Sequence, residues 1–262
     1  MSAYEFIKTE TDGRLFIVTI NRPDKLNSLH PMANAEMADA FDKFAADPEL
    51  WVAIVTGAGE KAFSAGNDLV FAASGQKSPV PMPSSGFGGL SSRYDLFKPV
   101  IAAVNGFAMG GGFEIALAAD IIIAAENAKF ALPEPRVGFA ALAAGMHRLP
   151  RQVPLKKAMG MLLTGRTVSA AEGKDIGFVT DVVPVGKALE EAKRWAGLIL
   201  ECSPMAVKAT KEVVVTGLNT ADLKTAFDYK APGIARLMAS ADHKEGPKAF
   251  AEKRKPVWKN EP

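Results

Sequence analysis

The sequence predicts an α/β fold of repeated strand-strand-helix (ββα) units, followed by a helical region. Short β-branched runs recur and end at turn residues, and segments with apolar residues at helical spacing lie between them. Strand signals stop after Val185. Because strands that alternate with helices are typical of α/β architectures, we divide the chain into a ββα core, residues 1–185, and a helical region, residues 186–262.

Each predicted strand of the core is a short apolar run. The strands are Leu15–Ile20, Val52–Val55, Val100–Val104, Ile121–Ala124 and Phe178–Val183. The first three lead into Asn21-Arg22-Pro23, Thr56-Gly57 and Asn105-Gly106, which are turn signals. The predicted core helices are Pro31–Ala46, Phe113–Ala119 and Pro154–Leu163.

Three helices are predicted after Val185. They are Ala188–Glu201, Pro204–Thr216 and Asn219–Met238, the last broken or kinked at Pro232. Ser203 and Pro204 form a suitable N-cap and first-turn pair. Because these helices have little core of their own to cover, we expect their apolar faces to pack on another surface, including that of another subunit.

Composition excludes several classes of protein. With 262 residues and 48% hydrophobic content, the chain can bury a sizeable core. Its 31 basic and 29 acidic residues give a net charge of +2 without a long basic tract, so we expect neither a nucleic acid nor an anionic membrane as partner. The three histidines show no metal-binding spacing, and no metal site is predicted.

The sequence also suggests where the protein works. The single cysteine, Cys202, cannot form an intramolecular disulfide, and Met1–Asp12 carries charges where a signal peptide would be apolar. The most apolar stretch, Pro99–Ala125, is interrupted by polar residues and glycines, so no membrane span is predicted. We expect a cytoplasmic protein.

One segment of the core has no regular pattern. Ser74–Ser92 combines three prolines, four glycines and six serines, which is too irregular for a helix or a central strand. A loop of this length inside a compact domain is often functional or mobile. The alternative is a tolerated surface insertion, and the sequence does not decide between them.

Two glycine turns follow predicted strands. Ala65-Gly66 comes after Val52–Val55, and Gly110-Gly111-Gly112 comes after Val100–Val104 and before a helical pattern. Consecutive glycines let the backbone approach a ligand, and the first N–H groups of a helix lack internal acceptors and attract negative oxygen. The triplet alone would be explained by tight helix–strand packing. With both turns, two N–H groups can converge on one oxygen.

The residues around these turns carry a resemblance. Phe63-Ser64-Ala65-Gly66-Asn67-Asp68-Leu69 and Asn105-Gly106-Phe107-Ala108-Met109-Gly110-Gly111-Gly112 resemble the paired signature of the crotonase superfamily, and the chain is similar to its enoyl-CoA hydratases from Asn21 to Arg254. The resemblance implies a crotonase-like ββα spiral with a C-terminal trimerisation region, hence a homotrimer or dimer of trimers. It also implies an acyl-CoA thioester substrate, no separate cofactor, and an oxyanion hole formed by the N–H groups of Ala65 and Gly111.

Two glutamates near the turns are candidate catalytic residues. Glu114 follows the glycine triplet, and Glu134 lies between Pro133 and Pro135, which predict an extended backbone there. Taken singly, Glu114 could merely complement the helix dipole and Glu134 could be an exposed loop charge. Two carboxyl groups at one substrate can instead divide the proton transfers of a hydration. The resemblance assigns deprotonation of water to Glu114 and delivery of the α-proton to Glu134.

The predicted function is therefore that of an enoyl-CoA hydratase, which adds water across the 2,3 double bond. The alternatives are an enoyl-CoA isomerase or another crotonase-type lyase that acts on a specialised acyl-CoA. A non-catalytic relative that binds RNA or protein is a further alternative. Both glutamates and the absence of any basic cluster longer than Lys253-Arg254-Lys255 argue against it.

The resemblance also implies substrate contacts. Lys25 is expected near the nucleotide, and Ala65, Gly66, Asn67 and Asp68 frame the pantetheine and adenine. Phe250 and Lys253 are expected to reach the CoA of a neighbouring subunit. Leu142 departs from the family pattern, which has glycine there, so its side chain either crowds the catalytic water or lines the acyl pocket.

Overall fold

The computed structural model describes residues 4–261, and its ten strands form two sheets. The six-stranded sheet has the order β1-β2-β3-β5-β7-β10, and the four-stranded sheet has the order β4-β6-β8-β9. The strands in chain order are β1 Ile7–Asp12, β2 Leu15–Ile20, β3 Val52–Gly57, β4 Ala62–Ser64, β5 Val100–Val104, β6 Phe107–Met109, β7 Ile121–Ala125, β8 Lys129–Ala131, β9 Val168–Ser169 and β10 Asp181–Val183.

Strands β3 to β8 alternate between the two sheets. Strands β3, β5 and β7 lie side by side and parallel in the large sheet, while β4, β6 and β8, which follow them in the chain, are parallel neighbours in the small sheet. Only β1 and β9, at the edges, pair antiparallel. The predicted spiral of ββα units is confirmed. Its geometry brings the turns after β4 and β6 to one end of the small sheet.

The helices are named here in chain order. They are α1 Pro31–Ala46, α2 Leu69–Ala73, α3 Gly111–Ala118, α4 Gly145–Gln152, α5 Leu155–Thr164, α6 Ala170–Ile176, α7 Ala188–Leu200, α8 Pro204–Gly217, α9 Leu223–Asp228, α10 Pro232–Ala239 and α11 Ala241–Ala251. None of the helices in residues 4–261 is long and apolar enough to cross a membrane. Ser203 caps α8 by accepting from the Ala206 N–H, as predicted.

Three predicted elements differ from the structure. The predicted break in Asn219–Met238 at Pro232 is confirmed, since Pro232 opens the separate helix α10, but the first part is shorter than predicted because Asp222 caps α9 and α9 ends at Asp228. The strand predicted at Phe178–Val183 pairs only from Asp181, although Phe178 and Val179 are buried in the core. The irregular segment 74–92 contains one 3-10 helix, Phe87–Gly89, and its last residues pack into the core, which is unlike a surface insertion.

The large sheet is buried on both faces. On one face its side chains pack against α1, α3 and the small sheet. On the other face they meet Ala188, Ala192 and Ala196, which lie four residues apart on α7 and form one apolar stripe. Helix α7 therefore covers the second face of the large sheet, although it lies beyond the predicted domain boundary at residue 185. That boundary stays a prediction.

Candidate active site

The turn after β4 lies beside the segment 26–29, and hydrogen bonds between them fix which N–H groups are free. Ala65 N–H donates to the Leu26 carbonyl at 2.9 Å, and Asp68 N–H donates to the Leu29 carbonyl at 3.1 Å. Gly66 N–H donates to Ser64 Oγ at 3.1 Å. The Asn67 N–H has no acceptor within residues 4–261, because alternate N–H groups of paired extended segments point to opposite sides.

This pairing corrects one predicted site residue. Ala65 cannot offer its N–H to a substrate oxygen while Leu26 accepts it, so the donor of this turn is Asn67. The partner segment is held by Asn27, which is buried and has a left-handed backbone, φ 55°. Its side-chain amide donates to the Ala58 and Ala62 carbonyls at 3.0 and 2.7 Å.

The second glycine turn opens helix α3. Gly110 has φ 52° and ψ −126°, a conformation that favours glycine, and it places Gly111 at the first helical position. The N–H of Gly111 has no acceptor within the helix. The two turns adjoin, since a Cβ on Gly66 would lie 2.7 Å from the Gly111 nitrogen. Gly66 is thus required both by its φ of 83° and by this close approach.

Glu114 lies in the first turn of α3 and is 3% exposed. Its Oε1 accepts the Gly145 N–H at 2.8 Å. Burial raises the pKa of Glu114 to about 7, and the negative charge of Glu134 acts in the same direction, while the Gly145 N–H and Arg148 oppose it. Near neutral pH, Glu114 can therefore both accept and release a proton.

Glu134 occupies a different local structure from the one predicted. It begins a 3-10 helix, Glu134–Val137, rather than lying in extended backbone, because Pro135 is compatible with the first turn of a helix. A Cβ on Gly110 would lie 2.8 Å from its Oε1, so the carboxyl group lies against the glycine turn. Burial raises the pKa of Glu134. Within the described part of the chain, its buried Oε2 has no hydrogen-bond partner.

Asp68 supports the turn rather than facing a ligand. Its carboxylate forms a salt bridge with Arg22 at 3.0 Å and caps α2 by accepting the Phe71 N–H at 3.1 Å. Burial alone would raise the pKa of Asp68, but the Phe71 N–H and Arg22 outweigh it and lower the value. We therefore revise its predicted role from substrate contact to support of the neighbouring Asn67.

The other predicted contacts lie on the surface. Leu142 is 77% exposed, which does not fit the reading in which it crowds the catalytic water; Ala141 is the neighbour of Gly145 and Glu114 instead. Phe250 is 88% exposed near the end of α11, and Lys25 and Lys253 are also exposed. The contacts of these residues with CoA stay predictions.

Sequence reasoning missed two residues beside the glutamates. Gly145 donates its N–H to Glu114, and Arg148, one turn further along α4, donates from Nη1 to the Ser91 carbonyl at 2.6 Å. A glycine at the start of a helix is a recognisable signal for a free N–H group. Nothing in the pattern indicated that this N–H would face Glu114.

A ββα spiral in which two free N–H groups lie beside one buried and one half-buried carboxyl group defines an enzyme of the crotonase type. Comparison with known proteins agrees: the profile of the enoyl-CoA hydratase/isomerase family matches residues 10–261. The chain belongs to this family.

Relatives and solved structures are similar over nearly the whole chain. Carnitinyl-CoA dehydratase of Salmonella enteritidis PT4 is 42% identical over 259 residues, which cover 97% of this chain and 98% of the relative. The crystal structure of enoyl-CoA hydratase from Mycobacterium tuberculosis H37Rv has a TM-score of 0.91 at 38% identity and covers 97% of this chain and 99% of its own. The Bacillus anthracis enoyl-CoA hydratase has a TM-score of 0.91 at 35% identity, with 98% and 100% covered.

Proposed function

We propose that the protein is a hydro-lyase that adds water across the 2,3 double bond of an enoyl-CoA thioester. The observation that carries the proposal is the placement of Glu114 and Glu134, both with a raised pKa, beside the free N–H groups of Asn67 and Gly111. Such a site supplies two proton-transfer groups and two donors for one oxygen.

The two N–H groups act on the thioester oxygen. When water attacks C3, negative charge develops on this oxygen as the enolate forms. Donors that are already oriented stabilise that charge without reorganising, and losing one typically costs about 3–4 kcal/mol. Asn67 and Gly111 supply the donors from the main chain, so substituting their side chains does not remove them directly.

The two glutamates divide the proton transfers. Glu114 takes a proton from water as the water oxygen bonds to C3. Glu134 then delivers a proton to C2 as the enolate collapses, and the product is a 3-hydroxyacyl-CoA. A pKa of about 7 for Glu114 suits a base that works near neutral pH. In the reverse direction, the same groups would dehydrate a 3-hydroxyacyl-CoA.

One assay tests the proposal. A conjugated enoyl-CoA such as crotonyl-CoA absorbs in the near ultraviolet, and hydration removes this absorbance. We expect the absorbance to fall on addition of the enzyme and the product mass to rise by that of one water. Loss of absorbance without a change of mass would instead indicate isomerisation, which needs only one carboxyl group.

A specialised acyl group is the second candidate. It is favoured by the 42% identity to carnitinyl-CoA dehydratase over 97% of this chain. A panel of enoyl-CoA and 3-hydroxyacyl-CoA substrates, with linear chains of increasing length and with a cationic acyl group, distinguishes the two candidate functions. The substrate with the larger kcat/KM identifies the class of acyl group that the enzyme accepts.

A further inference from the structure

Arg148 is a largely buried cation that no carboxylate pairs with in the part of the chain described, residues 4–261. Its one hydrogen bond goes to the Ser91 carbonyl, and its guanidinium lies 5.7 Å from the centre of the Tyr94 ring. The side chain lines a cavity of about 160 Å³ together with Tyr94, Leu117 and Gln152. An unpaired buried cation is costly unless it serves a neighbouring charge.

Helix α4 connects Arg148 to the first half of the site. Arg148 lies three residues after Gly145, so the two share one face of the helix. Gly145 donates its N–H to Glu114, and the positive charge of Arg148 also acts on Glu114. Arg148 therefore lies one turn of α4 beyond the residue that donates to the base of the proposed reaction.

Ser91 connects Arg148 to the second half of the site. While its carbonyl accepts from Arg148, its Oγ accepts the Phe87 N–H at 2.8 Å. The Phe87 ring packs directly on Gly111, where an added Cβ would collide with it. One guanidinium thus supports both the base and the residue that packs against the Gly111 turn.

We propose that Arg148 is a positioning residue for both halves of the site: its charge favours the ionised carboxylate of Glu114, and its hydrogen bond to Ser91 holds Phe87 against the Gly111 turn. Its importance for the reaction rests on the proposed function, in which Glu114 is the base. Its effect on the ionisation of Glu114 does not depend on the proposed function.

Few other charges act on Glu114 from the elements packed around it. The segment Phe87–Gly89 and strands β4 and β6 contain no titratable residue. Glu134 acts from its 3-10 helix. On α4, His147 and Arg151 are exposed and Arg148 is half-buried, so Arg148 is the cation of that helix whose charge acts on Glu114. Removing it should therefore be visible in the titration of Glu114.

Two substitutions of Arg148 separate the effect of its charge from that of its planar guanidinium. Arg148→Gln keeps a donor for Ser91 but loses the charge, and Arg148→Lys keeps the charge but loses the planar guanidinium. We expect Arg148→Gln to move the acid limb of the kcat/KM profile upward by about half a pH unit or more, and Arg148→Lys to leave it in place. Ser91→Ala, which frees Phe87, should lower kcat roughly tenfold without moving the limb.

The decisive measurement does not depend on turnover. The ¹³C carboxyl resonance of Glu114, assigned by its loss in Glu114→Gln, is titrated in wild type and in both Arg148 variants. Arg151→Gln, on the exposed side of the same helix, is the control and should match wild type. An unmoved Glu114 titration in Arg148→Gln overturns the charge role, even if the protein proves not to be a hydratase. If Ser91→Ala has the same kcat as wild type, the proposal that Ser91 holds Phe87 against the Gly111 turn is overturned. This test remains available if Arg148→Gln does not fold.

Discussion

The buried carboxyl of Glu114 makes the protein less stable as the pH rises. Its pKa is about 7 in the folded chain against an ordinary value of 4.5, so folding increases its affinity for a proton. The stabilising contribution of this group is complete below the unfolded pKa and is lost as the pH rises through the folded pKa. Above neutral pH the folded chain therefore contains a buried negative charge on Glu114 in its candidate active site.

Glu114→Gln should consequently stabilise the protein at alkaline pH. Gln keeps an oxygen for the Gly145 N–H but never ionises. We expect the free energy of unfolding to rise by about 2 kcal/mol at pH ~8 and to match wild type near pH ~4.5. Denaturant titrations at both pH values measure this. The exposed Glu126→Gln serves as control, and an equal effect of both substitutions would contradict the role of burial.

The same ionisation should control activity. Because Glu114 must be unprotonated to accept a proton from water, kcat/KM should rise with pH through about 7. A kcat/KM profile with its acid limb near 4.5, the ordinary pKa of a glutamate, would show that Glu114 is not the base.

The two glutamates should act as one unit. Glu134→Gln and Glu114→Gln are each expected to retain binding of a CoA ligand and to lose hydration by at least about a hundredfold. The double variant should be little worse than either single variant, because removal of one partner already stops one of the two proton transfers that a complete hydration requires. Steady-state kinetics with calorimetric binding as control measures all three, and additive losses would indicate independent roles.

For single residues of the site, the sequence indicated which residue types are present better than which of their atoms are free to act. Glu114, Glu134 and Gly111 could be predicted as site residues because glycines and carboxyl groups leave a pattern. The donor at Asn67 was missed because Ala65 and Asn67 are equivalent until the segment 26–29 pairs beside them and accepts one N–H group. That pairing joins residues about forty positions apart, and no local pattern reports it.

Helix α4 begins at a strained residue. Ala144, its N-cap, has φ 75° and ψ 9°, in the left-handed region that side chains with a Cβ rarely adopt. The following residue, Gly145, is the one that donates to Glu114. The strain therefore lies directly beside the catalytic pair, where the backbone is held by the contact between α3 and α4.

Ala144→Gly should relieve this strain. We expect the free energy of unfolding to increase by about 1 kcal/mol, since glycine enters the left-handed region without the clash of a Cβ. Ala143→Gly is the matched control: Ala143 has no positive φ, so glycine there should destabilise the chain. Chemical denaturation of the two variants measures the difference, and a loss of stability in both would show that Ala144 is not strained.

The elements most visible in the sequence were long or strongly apolar. Helix α1 was predicted at its observed bounds, and β2 and β5 likewise. Strands β4, β6 and β8 have three residues each, too few for a periodic pattern, and they form because parallel partners lie beside them. Helix α11 was missed because Gly246 and Pro247 lie within it, although Ser240 caps it by accepting the His243 N–H.

The whole molecule presents large apolar side chains on the helices after α7. Phe227 is 86% exposed, and Leu218, Leu223 and Phe250 are similarly exposed. A patch of this kind on a monomer marks an interaction surface. The apolar residues Trp195 and Ile199, which lie on α7, already pack against the large sheet. The remaining exposed residues favour the predicted homotrimer or dimer of trimers.

Light scattering tests the assembly. We expect a mass of three or six times 27.8 kDa. Phe227→Asp should lower this mass or weaken the assembly, whereas Leu163→Asp, at an exposed site on α5, should not. Cutting the chain after Val185 is a poorer test, because it also removes α7 from the large sheet. A fully active monomer at micromolar concentration would exclude the oligomer.

The main-chain position of the donors at Asn67 and Gly111 bears on how such enzymes diversify. In the proposed reaction, a substitution at position 67, whose side chain is exposed, changes what surrounds the thioester oxygen but leaves the N–H group in place. Heritable variation can therefore alter the acyl group that is accepted while the polarisation of the thioester is inherited unchanged. A hydratase and a carnitinyl-CoA dehydratase can both descend from one ancestral backbone in this way, without either losing the ability to stabilise an enolate.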